Sequence, residues 1–258
     1  MNTTILLDGA SNFPNKTLEE YCVACSTACD TALAEWDTVR ETPTSSVSHG
    51  FVHDNALISM FWTTTFPNPP PQLLHHLDDL FNGENLKKHA MEWDATFHDC
   101  TVLGKIHSNT IDTTPSLLVH WQFNAAPLAG RDMVYIVSSK EDTPSSTDTW
   151  TKRITYAYAS VEDALIQTVT KKDTPVENTG RVRAMNCFPS CDRVTVFKDG
   201  TAQLDHLMTT NIGGWVPTVC FNHVFKSALI DANVHESEAM RKYVLKLCGG
   251  EDVGECVE

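Results

Sequence analysis

No run of apolar residues in the 258-residue chain approaches the roughly 20 needed to span a bilayer as a helix. Basic residues are also scarce. Nineteen Lys and Arg face 33 Asp and Glu, giving a formal net charge of −14. A nucleic-acid-binding face needs clustered positive charge, which is not visible here, and an acidic chain is a poor candidate for tight electrostatic docking on anionic membranes, although apolar loops could still touch one. The start, MNTTILLDGASNF, has no basic stretch and a short apolar run, and is not expected to be a secretory leader. Hydrolase and nucleotide signatures are missing too: no G-x-S-x-G, no H-E-x-x-H and no phosphate-cradling glycine loop. Internal repeats and low-complexity tracts are absent.

What is present is an ordinary globular composition, 41% hydrophobic and 20% charged. The nine cysteines are scattered and odd in number, unlike a secreted disulfide framework. Free thiols in a reducing, cytoplasmic setting are expected. Cys22, Cys25 and Cys29 share a helical face. A metal there would need a fourth ligand and ionised thiols, so small cysteines packed on a sheet are the expectation, with no metal and no cofactor.

The chain divides into an irregular arm (1–16), one domain (17–248) and an acidic tail (249–258). Thr17 followed by Glu20 has capping-box spacing and opens a helix expected to reach about Val39. Short strands follow, then a strand over Ala56–Phe66 that Pro67 to Pro71 end. Leu73, Leu77, Leu80 and Phe81 give the next helix an apolar stripe, and a shorter helix covers Leu86 to Ala90. Strand-like segments come next, at about 96–107, 116–123, 133–138, 152–159, 181–187, 192–197 and 202–210. Asp199-Gly200 marks a hairpin, and Pro189 separates two of the strands. These spacings leave no room for crossover helices, so the sheet should be mostly antiparallel. A long helix, started near Pro217 and ended at Gly249, closes an α+β domain.

Four segments carry a resemblance. Glu92-Trp93-Asp94 follows the middle helices, Gly130-Arg131-Asp132 opens a strand, Gly180-Arg181-Val182-Arg183-Ala184 opens another, and Gly213-Gly214-Trp215-Val216-Pro217 leads into the last helix. In this order and spacing the chain resembles the StAR-related lipid-transfer (START) domain family over about Thr17 to Leu247. The resemblance implies a helix-grip fold, a curved antiparallel sheet wrapped around the last helix, with one lipid in an apolar tunnel between them. It implies a non-enzymatic, monomeric lipid carrier with transient membrane contact. The wider helix-grip superfamily also contains cyclases and hydrolases, so an enzyme acting on an apolar substrate stands as the alternative, and a ligand-free interaction module as another.

The resemblance also proposes lipid-contacting residues. Sterol-binding members carry a buried acid–arginine pair on neighbouring strands. By spacing, those positions here are Leu118 and Val137, which disfavours a sterol. Arg131 matches the arginine that phosphatidylcholine-binding members set near phosphate, which favours a phospholipid or fatty acid. The family register turns Leu118, His120 and Gln122 into the tunnel with Arg131, Met133, Tyr135 and Val137. Periodicity alone instead favours Leu117, Val119, Trp121 and Phe123 as the buried set. Phe221, Phe225 and Leu229 are expected to line the tunnel from the last helix. Gly213, Gly214, Trp215 and Pro217 are the expected hinge of a lid, with a polar break at Asp231 to Glu236 loosening it.

Overall fold

A computed structural model describes residues 17–52, 57–70, 72–82, 85–106, 115–125, 128–161, 166, 180–214, 222–223 and 226–249. Helix α1 (Leu18–Glu35) opens with the capping box read from the sequence: the Glu20 amide donates to Thr17 Oγ1 at 3.2 Å and the Thr17 amide donates to Glu20 Oε2 at 2.8 Å. It ends earlier than expected. Thr38–Glu41 forms strand β1 against β2 (Ser45–Gly50), so sheet pairing overrides any continuation to Val39. Strand β3 (Ser59–Phe66), helices α2 (Leu73–Asn82) and α3 (Leu86–Trp93), and strands β4 (Phe97–Ile106), β5 (Ser116–Phe123), β6 (Arg131–Asp142) and β7 (Trp150–Ser160) follow.

The next two strands are β8 (Val182–Arg183) and β9 (Met185–Phe197). Here the expected break at Pro189 does not occur, and β9 runs through it. The register against β10 (Ala202–Asn211) shifts at this place, from Leu207 opposite Cys191 to Thr209 opposite Cys187. Such an irregularity lets a residue without an N–H sit inside a sheet. The β9–β10 turn is the Asp199-Gly200 turn foreseen, with Gly200 at φ +88°. Helix α4 (Lys226–Leu247) is the last element.

The strands form one sheet in the order β1-β2-β3-β10-β9-β7-β6-β5-β4, with β8 pairing parallel to β6 and every other pair antiparallel. One face packs against α2, α3 and α4, around Trp62, Leu73, Leu77, Leu204, Met240 and Val244. The other face is covered by α1, whose Tyr21, Cys22, Cys25 and Cys29 meet Ala157, Cys191 and Leu207. Burial of these thiols is unfavourable to their charged forms, and it pushes Cys22 up to about 12. A buried ion pair also joins α1 to the sheet. Arg193 donates to Asp205 Oδ2 at 2.8 Å, to the Ser26 carbonyl at 2.8 Å and to Asp30 Oδ1 at 2.7 Å.

Candidate functional site

The α4 face of the sheet is set by strand alternation. Pairing of β5 with β6 places Leu117 opposite Val137, Val119 opposite Tyr135, Trp121 opposite Met133 and Phe123 opposite Arg131. Leu117, Val119, Met133, Tyr135 and Val137 all belong to the cluster beneath the helices. Leu118 instead packs with Val134, Ile136 and Ile166 on the opposite side. His120 and Gln122 share its side, and His120 Nε2 donates to Asp132 Oδ2 at 2.9 Å. The expected placement of Leu118, His120 and Gln122 in the tunnel is therefore corrected: β5 is turned by one residue, which exchanges its faces. The plain alternation of Leu117, Val119 and Trp121 had pointed the right way.

This register also undoes the comparison of Leu118 with Val137, since the two lie on different faces. A charged pair on neighbouring strands is present elsewhere. His206 on β10 lies directly opposite Asp192 on β9, on the α4 side. His206 Nδ1 donates to Asp192 Oδ1 at 2.8 Å, and the Tyr158 hydroxyl donates to Asp192 Oδ2. The His206 ring stacks on Trp62, centroids 4.9 Å apart, and Tyr135 meets Tyr158 edge to face. Glu236, from α4, brings Oε1 to 3.9 Å from His206 Nε2. Asp94, at the end of α3, lies close enough to act electrostatically on both.

The charges shift one another. Burial alone lowers the basicity of His206, but Asp192 and then Glu236 outweigh it and raise it to about 9. Burial raises Glu236 to about 7, with His206 opposing and Asp94 and Asp192 reinforcing the rise. Glu236 is half-buried, with 30% of its side-chain surface accessible. No sequence motif announced this cluster. Its signal was two charged dipeptides, Asp192-Arg193 and Asp205-His206, inside strands otherwise fit for burial.

Arg131 has a different surrounding. It is 3% exposed. Its Nε donates to the Ile212 carbonyl at 2.6 Å and its Nη1 to the Ala129 carbonyl at 2.5 Å. Asp132 pairs with Arg183 Nε at 3.1 Å as well as with His120. Gly213 takes φ +67°, and a Cβ there would lie 2.0 Å from the Arg183 carbonyl oxygen. Three of the four resembling segments therefore meet in one joint, where β10 leaves the sheet towards α4. In the fourth, Trp93 packs against the helix-side core and Glu92 pairs with Lys246 at 3.0 Å. Leu229 packs against the same core. Trp215, Pro217, Phe221 and Phe225 lie outside the described residues.

Residues 78–246 match the START domain family model. The chain belongs to the START domain family. Solved structures agree with this START assignment in fold. Human STARD10 superposes with a TM-score of 0.59 at 15% identity, covering 88% of this chain and 81% of that one. Human StAR-related lipid transfer protein 5 gives 0.57 at 16%, covering 88% and 99%. The human StarD13 (DLC2) lipid transfer and protein localization domain gives 0.56 at 18%, covering 85% and 94%. No curated protein sequence matches the chain. The START helix-grip fold accounts for the layers seen here: a curved sheet whose inner face holds the last helix.

Proposed function

We propose that this START domain is a non-enzymatic carrier that encloses one lipid between the inner face of its sheet and α4. Family membership over residues 78–246 carries the reading. The apolar inner residues Met133, Tyr135, Val137 and Leu229 supply the surface for the tail, since shielding an alkyl chain is worth about 0.8 kcal/mol per methylene. Membrane contact is transient, and the carrier acts as a monomer in the cytoplasm. Free Cys29 and Cys191, with sulfurs 3.5 Å apart and not joined, suit a reducing compartment.

Loading and release need the helix to move. The C-terminal half of α4 is held by Tyr243, whose hydroxyl bonds His89 Nδ1 at 2.8 Å while His89 Nε2 bonds Asp79 at 2.8 Å. Its N-terminal half packs Leu229, Ile230 and Val234 on the core and carries the exposed Arg40–Asp231 pair at 3.7 Å, with no comparable buried hydrogen-bond chain among the described residues. The gate in this reading is therefore the N-terminal half, turning about the Gly213-Gly214 joint.

The ground for an anionic head at Arg131 is removed by its two backbone carbonyls. A second reading, an acid–base enzyme on an apolar substrate, is favoured by one observation: Asp192, His206 and Glu236 converge as mutually interacting acid and base groups. Native mass spectrometry of the purified protein, followed by lipid extraction, tests both. One intact lipid per chain supports the carrier. A recovered ligand chemically altered after incubation supports the enzyme. Absence of any bound lipid, together with no thermal shift across a lipid panel, sinks both.

A further inference from the structure

The face of the sheet away from α4 holds a group of thiols that the carrier does not use. Cys29 Sγ on α1 lies 3.5 Å from Cys191 Sγ on β9, and both residues are fully buried. Cys25 sits beside them. Its carbonyl is 3.8 Å from Cys191 Sγ, while its own sulfur is directed to the Ser190 carbonyl at 3.8 Å. Cysteines serving as small apolar packing need no such sulfur–sulfur contact. Cys22 and Cys187 set their sulfurs against the Ser138 and Met185 carbonyls instead.

The register that brings the two sulfurs together is held from both sides. Arg193, two residues along β9, donates to the Ser26 carbonyl and to Asp30, which flank Cys29 on α1. Tyr21, about two turns earlier on the helix, donates its hydroxyl to the Tyr158 carbonyl at 3.2 Å. A disulfide sets its sulfurs about 2.05 Å apart, so the pair must close by only about 1.5 Å.

In the docked state the pair is quiet. Contact with Cys191, and then burial, hold Cys29 well above the usual thiol range. Contact with Cys25, reinforced by burial, does the same for Cys191. The thiolate is the reactive form. Helix α1 supplies no strand, so it can lift while every ladder bond of the sheet stays in place. Lifting admits water and a small oxidant. Hydrogen peroxide then takes an electron pair from one sulfur. The S–O bond forms and the O–O bond breaks, leaving a sulfenic acid and one water. When α1 settles back, the second thiol attacks that sulfur. The S–S bond forms, the S–O bond breaks, and the hydroxyl leaves with the thiol proton as a second water. Two thiols have lost two electrons, and one peroxide has become two waters.

We infer that Cys29 and Cys191 form a modification site for a small peroxide, closing to a disulfide that staples α1 to β9. The site lies on the face opposite α4 and does not depend on the carrier reading. A dithiol reductant reopens it. The bridge joins residues 162 apart in sequence, so it closes a long loop and restricts the unfolded chain.

The test treats the whole, fully reduced protein with excess hydrogen peroxide, blocks remaining thiols with N-ethylmaleimide and digests it without reduction. Fragment-ion mass spectrometry is expected to find Cys29–Cys191 as the main disulfide, and dithiothreitol to remove it. The oxidised protein should melt roughly 5–15 °C above the reduced one. Cys29→Ala should lose both the link and the rise in Tm, while Cys25→Ala should keep both. A main disulfide between Cys25 and Cys191, or anywhere else, would overturn the assignment. Recovery of Cys29 and Cys191 as maleimide adducts after the peroxide treatment would overturn it too. A bridged protein that melts no higher than the reduced one would refute the staple. The wild-type mapping stands even if a variant fails to fold.

Discussion

Two buried charge clusters on β9 and β10 differ only in which side of the sheet they face, and they should respond to different perturbations. Arg193 and Asp205, both at most 1% exposed, stabilise the α1 side. Asp205→Ala leaves the guanidinium without its main buried partner and should cost about 3–5 kcal/mol in urea unfolding. Asp30→Ala, whose side chain is 53% exposed, should cost about 1 kcal/mol or less. On the α4 side, pH is the perturbation. Glu236 holds its proton up to about 7 in the fold against an ordinary value of 4.5, so its contribution falls as pH rises between those values. His206 is raised from 6.5 to about 9, so its contribution is full below 6.5 and is lost as pH rises towards 9. The carboxylates facing the pair from other elements, Asp192 and Asp94, enter this balance. The protein should lose stability from pH 5 to pH 9, on the order of 3 kcal/mol from each group, with a fall in Tm of at least roughly 5–10 °C. Glu236→Gln should flatten the part between pH 5 and pH 7. A wild-type Tm that rises across this range would refute the assignment.

Among the elements, α4 is the one whose motion the carrier needs. Its two ends are held unequally, by the Tyr243–His89–Asp79 chain at one and by the exposed Arg40–Asp231 pair at the other. Cysteines at Arg40 and Asp231, bridged by a short bis-maleimide with Cys220, Cys248 and Cys256 changed to Ser, should block lipid transfer between vesicles. The same variant left unbridged should transfer normally. Transfer by the bridged protein would place the portal elsewhere, past the strand-connecting loops. Substituting Gly213 is no test of a hinge. Its positive φ and its contact with the Arg183 carbonyl mean that Gly213→Ala must strain or displace the joint. A drop in stability is therefore expected, read as a lower Tm without ligand. Gly214, also at φ +74°, has no tight neighbour and should show a smaller loss.

For the molecule as a whole, the carrier reading links stability to ligand. A lipid bound only by the folded chain stabilises it by mass action, about 2.7 kcal/mol at a hundredfold excess over Kd. Tm should therefore rise steadily with ligand concentration and keep rising after one equivalent is bound. Tail length should matter more than any single inner residue, because the apolar surface is spread over eight strands and α4. A thermal shift that saturates at a fixed value well below stoichiometry would contradict the one-to-one complex.

The sequence by itself determined what depends on neighbours along the chain. The capping box at Thr17, the Asp199-Gly200 turn, the apolar stripe of α2 and the order of the elements are local patterns, and local geometry suffices to read them. The four family segments fixed the fold in the same way. Only the tertiary structure decided what depends on registration between distant strands. A one-residue choice on β5 set Leu118, His120 and Gln122 against the convex side. Helix α1 stopped at Glu35 because a partner strand was available for Thr38–Glu41, and β9 continued through Pro189 because β10 shifts register beside it. The polar cluster beneath α4 is the extreme case. Its Asp192, His206 and Glu236 come from two strands and a helix, and Tyr158 from a third strand, so no window of sequence contains them. What brings them together is sheet pairing and the docking of α4, whose Glu236 meets His206 only after both faces are folded.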